Sequence, residues 1–111
     1  MPKTISLAHS PDSDDAFMFY ALANNLVDTY GLKFKHELHD IETLNQRAEM
    51  ETFDITAVSF HGYAYISDRY QLMTAGASVG DGYGPTVVSN RPLTIQDLSE
   101  VVVGIPGEHT T

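Results

Sequence analysis

TISLAHSPDSDDAFMFYALANNL, residues 4–26, decides the architecture. Its first six residues alternate and are rich in β-formers. A polar loop then leads into an apolar run with acids in its first turn and no breaker before Gly31. The order is strand, loop, helix. Phe17, Met18, Phe19, Ala21, Leu22 and Leu26 make this helix apolar on nearly every side, so it is expected to be buried against a sheet and adjoining chain.

The unit repeats. LKFKHELHD, residues 32–40, alternates with the period of a half-buried strand. IETLNQRAEM, residues 41–50, carries Ile41, Leu44 and Ala48 at helical spacing, with Thr43 and Gln46 placed as a capping box. DITAVSF, residues 54–60, reads as a third, more buried strand, and HGYAYISDRY, residues 61–70, as a helix. A fourth strand region, 71–80 and 85–90, is interrupted by the glycine-rich GDGYG. Residues 93–100 read as a helical turn and 101–107 as a last strand. Alternating β and α elements predict an α/β fold with a mostly parallel sheet flanked by helices and ligands beyond the carboxyl ends of the strands. The loops at 9–14, 59–62 and 106–111 all follow strands and are expected to converge there. A strand at 101–105 with neither crossover nor partner is odd for a complete domain, which suggests a fragment.

The chain has 111 residues, 42% hydrophobic, with acids outnumbering bases 15 to 6 for a formal charge of -9. Such a surface repels a duplex or an anionic membrane, so neither nucleic acid nor membrane is expected as a partner. There is no cysteine, hence no disulfide framework and no thiolate metal site. The first 15 residues show no secretory signal, which makes the cytoplasm the default location.

Several motifs invite a site. Ser10, Asp12, Ser13, Asp14 and Asp15 can cap the first helix, and Ser10 with Asp14 or Asp15 can also line a pocket at the strand end. GIPGEHTT puts Thr110 and Thr111 at a helix start, suited either to an N-cap or to holding a carboxylate. Ser59 ends a buried strand and begins a helix, again as an N-cap or a ligand contact. The glycines of GDGYGP, Gly84 among them, let the backbone approach a ligand or a hinge. That loop lacks the lysine of a phosphate loop and the spacing of a dinucleotide fingerprint, so no cofactor is expected. His36 and His39, three apart in a strand, face opposite sides and cannot chelate one ion, so no metal is expected. His9, His61 and His109 sit after or at the end of strands, where a general acid or base is useful, although a loop histidine is the plainer reading.

SPDSDDAFMFYAL, DIETLN, DITAVSFHGYAYISDRYQLMTAGASVGDGYGP and VVVGIPGEHTT together resemble the 1,4-dihydroxy-6-naphthoate synthase family of the futalosine route to menaquinone. The resemblance implies a type II periplasmic-binding-protein-like fold of two α/β lobes about a cleft. Residues 1–90 would form the first lobe and 91–111 the hinge and start of a largely missing second lobe. It implies a carbon-carbon lyase that opens cyclic dehypoxanthine futalosine to 1,4-dihydroxy-6-naphthoate without cofactor. Ser59 and Thr111 would contact the substrate carboxylate, with Ser10 and Asp15 near the pocket mouth and Gly84 and Thr110 beside them. The family's proposed base is a histidine of the second lobe, matched by none of the five here, so the catalytic residue is not assigned. Ser13, Asp14, Ala16 and Thr86 depart from the family pattern, leaving room for a paralogue with another small acidic ligand. The chorismate dehydratase branch shares the fold but is less similar in these motifs. The alternative is a solute-binding protein of the same fold that holds a small carboxylate without catalysis. An isolated lobe would expose the apolar face of strand 101–105 and associate, for instance as a homodimer, and could be inactive.

Overall fold

The computed structural model describes residues 2–111. Three strands, β1 (Thr4–His9), β2 (Lys33–Leu38) and β3 (Ile55–Thr56), form one wholly parallel sheet in the order β2-β1-β3. β1 is central because it alone is apolar on both sides: Leu7 and Ala8, neighbours pointing to opposite faces, are both buried. The register pairs Leu7 with His36 and Ala8 with Thr56. Ile5, Leu7 and His9 therefore share one face with Phe34, His36 and Leu38.

α1 (Ser13–Ala23) covers that face, its Phe19 ring stacked on His9 at 4.3 Å between centroids. α2 (Ile41–Glu49) covers the other, where Leu44 joins Ala8 and Phe53 in the core and Ile41 and Ala57 close its edge. The α2 cap lies one turn before the expected box. Asp40 accepts from the Thr43 amide at 3.0 Å and from the Thr43 hydroxyl at 2.6 Å, and those bonds hold its carboxyl below the usual range.

Four expectations are corrected. α1 stops at Ala23, not near Gly31, because Asn24 turns its amide back onto the Tyr20 carbonyl and Asn25 takes φ 56°, a conformation asparagine tolerates. The helix has no buried residue, and Phe17 is 89% exposed, since an apolar surface all round offers the sheet only one side. β3 is two residues rather than seven. The helix expected at 61–70 is reduced to α3 (Phe60–Tyr63) followed by turns, where amides of 64, 65 and 66 bond three rather than four residues back.

Residues 71–90 and 101–105 form no strand among the described residues, because no neighbouring strand accepts their backbone groups. They form an arm with bends at 74–75, 82 and 90–91, with Val102 fully exposed and the short 3-10 turn Gln96–Glu100 within it. This arm lifts the radius of gyration to 17.3 Å, where a compact chain of this length needs about 13 Å. No helix among the described residues is long and apolar enough to cross a membrane.

Leu44, with no exposed surface, tests this core. Leu44→Ala should cost about 2–5 kcal/mol in urea unfolding, whereas a loss below about 1 kcal/mol would show that the core lies elsewhere.

Candidate functional site

The sheet register sets the site. Because Ala8 pairs with Thr56 and the Ala57 amide still bonds to the Ala8 carbonyl at 2.8 Å, the loops after β1 and β3 leave from one edge. That edge is the carboxyl end of the strands, where parallel sheets bind ligands.

After β1, Ser10 is buried and fixed on three sides. Its amide donates to Asp15 Oδ2 at 2.7 Å, its Oγ accepts from the Asp12 amide at 3.2 Å, and its carbonyl accepts from His9 Nδ1 at 3.0 Å. Asp15 thus reaches back over the loop to close it. Asp12 occupies the cap position of α1 without a side-chain bond, and Asp15 accepts from the Ser10 amide ahead of the helix, so the acidic run ties down the loop rather than capping the first turn. Asp14 instead accepts from Ser78 Oγ at 2.6 Å, tying the start of the arm to α1.

After β3, Ser59 is the N-cap of α3. Its Oγ accepts from the Gly62 amide at 3.1 Å and from Asn45 Nδ2 at 2.9 Å, and its O–H donates to the His109 carbonyl. The Asn45 carbonyl oxygen in turn accepts from the Ser59 amide at 3.0 Å. Residues 107–111 return to this edge. The His109 amide donates to Glu42 Oε2 at 3.2 Å, the His61 amide donates to Thr111 Oγ1 at 3.1 Å, and Thr110 Oγ1 donates to the Gly107 carbonyl at 2.9 Å. Gly107 lies close against this carboxylate: an added Cβ would meet the end of the Glu42 side chain, which would have to move aside. The fold therefore brings residues 109 and 111 onto Ser59 and His61, turns the Thr110 hydroxyl back on its own segment, and places Ser10 and Asp15 on the adjacent loop of the same edge. Gly84 stands apart on the arm, with nothing within 4 Å of the position its Cβ would take.

Asn45, 2% exposed, is the residue that sequence reasoning missed. The signal was present: positions 41, 44, 45 and 48 make the inward stripe of α2, and Asn45 is the polar member of it. A buried amide there needs partners, and Ser59 supplies them on both sides. Glu42 and Tyr65 were also missed, since nothing local marks their contacts with residue 109.

Two cavities lie elsewhere. One of about 280 Å³ runs between the end of α1 and β2, lined by Leu22, Asn25, Lys33 and His36 among others. The second, of about 420 Å³, lies between the start of α1 and residues 76–78. At the Ser59 cluster, oxygens of residues 109 and 111 accept from the Ser59 hydroxyl and the His61 amide.

The histidines separate by face. His36 Nδ1 is 3.4 Å from His9 Nε2, while His39 turns to Arg47 at 3.0 Å on the α2 side. The Ser10 carbonyl can only accept, so His9 carries its proton on Nδ1 and receives one from His36 Nδ1. His36 Nε2 is then a bare acceptor, buried without a partner. Burial first, and the neighbouring His9 second, hold the His36 pKa below its ordinary 6.5. The folded form therefore binds fewer protons than the unfolded form just below pH 6.5, so the contribution of His36 to stability is full above that pH and is lost as pH falls toward the lower folded value. His36→Gln should flatten the fall in unfolding free energy between pH 7.5 and 5.5, and parallel profiles for the two proteins would contradict this assignment.

The chain is similar to known proteins over most of its length. The sequence model of a family described as menaquinone biosynthesis matches residues 5–111. A protein of Thermus thermophilus named 1,4-dihydroxy-6-naphtoate synthase is 38% identical over 109 residues, covering 98% of this chain and 39% of the relative. One of the same name from Streptomyces coelicolor is 32% identical over 108 residues, covering 97% of this chain and 37% of its own length. The chain thus spans about two-fifths of the curated relatives it matches. A crystal structure of an Archaeoglobus fulgidus protein superposes with a TM-score of 0.69 and 53% sequence identity over 73% of this chain and 30% of that one.

Proposed function

The chain belongs to the menaquinone biosynthesis family, and on that premise we propose that it forms the substrate-orienting lobe of a 1,4-dihydroxy-6-naphthoate synthase. In this reading the fold is a lobe of the type II periplasmic-binding kind, residues 1–90 building the first lobe and 91–111 the hinge and the start of the second. The reaction is the lyase step that opens cyclic dehypoxanthine futalosine to 1,4-dihydroxy-6-naphthoate, and the substrate's carboxylate is what this chain holds.

The convergence of the Ser59 and Thr111 hydroxyls and the His61 amide at the carboxyl edge of the sheet carries the proposal. Three neutral donor groups from two distant segments meet where an anion needs them. Fixed charge does not attract the ligand here: the whole chain carries -9, and Glu42 and Glu49 flank the cluster. Directed N–H and O–H donors must supply the selectivity, since charge-assisted hydrogen bonds are short-ranged and geometric. Asn45 holds Ser59 from the buried side, fixing the hydroxyl position. Ser10 and Asp15, locked together on the next loop, border the pocket mouth. Proton abstraction belongs to a base outside these residues, so this chain's share of catalysis is orientation.

The test is turnover of cyclic dehypoxanthine futalosine by the native-length protein, with product identified by mass spectrometry. Ser59→Ala should raise KM roughly ten- to a hundredfold, the loss of a hydrogen bond to a charged group. Unchanged kinetics would remove Ser59 from the site. Absence of naphthoate product from the folded wild type, together with carboxylate binding, would instead favour a non-catalytic solute-binding protein.

A further inference from the structure

Two histidines lie behind the Ser10 loop, and the reaction proposed above uses neither. His9 ends β1, is 6% exposed and is stacked on Phe19 of α1. Parallel pairing puts Leu7 opposite His36 and His9 opposite Leu38, so His9 and His36 are diagonal neighbours on one face of the sheet. There His9 Nδ1 donates to the Ser10 carbonyl at 3.0 Å, and its Nε2 accepts from His36 Nδ1 at 3.4 Å. The bonds therefore run in one direction, from β2 through β1 to the loop. They end on a residue whose other backbone group is also held, by Asp15 at 2.7 Å. The Ser10 hydroxyl accepts from the Asp12 amide, and among the described residues no group accepts its proton. That proton is what Ser10 has left to give.

We propose that His36 and His9 are positioning residues for Ser10. His36 Nδ1–H supplies the His9 Nε2 acceptor, His9 Nδ1–H holds the Ser10 carbonyl, and the Ser10 hydroxyl is thereby set to donate to an oxygen of the ligand. The inference rests on the reading of Ser10 as a border of the pocket mouth and adds the residues that keep it there. Neither histidine touches the ligand, since His9 is covered by Phe19 and His36 Nε2 is buried. An aliphatic side chain at 36 would fill the same face and give His9 no proton. The closed loop would then bury a bare His9 Nε2, and water would reach that atom only when the loop opens. A buried acceptor without a partner thus favours the open loop.

The native-length protein and two variants test this. His36→Leu keeps the bulk and donates nothing, whereas His36→Asn restores an N–H at the place of Nδ1. Nitrogen NMR of the wild type should show His9 and His36 each protonated on Nδ1. The Ser10 amide should exchange roughly tenfold faster in His36→Leu and return to within about twofold of wild type in His36→Asn, the effect of baring one buried acceptor and pairing it again. KM for cyclic dehypoxanthine futalosine should rise roughly two- to tenfold in His36→Leu, recover in His36→Asn and leave kcat unchanged, because Ser10 binds and does not react. A wild-type His9 protonated on Nε2, wild-type Ser10 exchange and KM in His36→Leu, or a His36→Asn no better than His36→Leu would each overturn the positioning role. Loss of Ser10 protection in His36→Leu and its recovery in His36→Asn, in a protein that makes no naphthoate, would keep that role and overturn the synthase reading.

Discussion

One hydroxyl joins the three parts of the molecule that meet at the carboxyl edge of the sheet. Ser59 Oγ is bonded to Asn45 on α2, to Gly62 inside α3 and to His109 at the end of the chain. None of these bonds is local in the sense of a helix or strand ladder except the cap to Gly62. The other two fix elements 14 and 50 residues away, so the position of α2 against β1 and the return of residues 107–111 are both set by one side chain. The packing is consistent with it: Gly62 is buried with Asn45 Oδ1 only 2.6 Å from where a Cβ would lie, so a larger residue at 62 would separate α2 from α3.

The two faces of the sheet are built unequally, and the inequality has a physical cause. On the α2 side, an amphipathic helix with a capped start packs Leu44 and Ala48 under the strands and leaves its charged residues outside. On the α1 side, the helix is apolar all round and the sheet covers only Phe19 and its half-buried neighbours. Phe17 and Tyr20 stay exposed, and so do Val79, Val87, Val88 and Ile95 along the arm. Beneath α1, the His9–His36 pair lies beside the buried Leu7. Its directional bonds tie β2 to the Ser10 loop, which holds that loop in one conformation.

The α/β character was legible because it rests on local periodicity. β1, β2 and α2 appear close to where alternation and helical spacing put them, and the parallel order follows from strands separated by helices. Residues 71–90 and 101–105 were misread because β-branched residues mark a wish to pair, while a strand exists only where a partner offers hydrogen bonds. The end of α1 was misread because Asn24 and Asn25 are quiet breakers beside Gly31. Of the candidate site, Ser59, Thr110 and Thr111 were readable as polar residues at strand ends. The approach of residues 109 and 111 to Ser59 and His61 was not, since it depends on Glu42 accepting the His109 amide and on Asn45 facing inward, both matters of tertiary contact.

The most direct test is a crystal structure of the native-length protein with 1,4-dihydroxy-6-naphthoate bound. The account predicts a carboxylate oxygen within about 2.6–3.2 Å of Ser59 Oγ, with Asn45 still bonded to Ser59. Ligand bound away from Ser59 would contradict it.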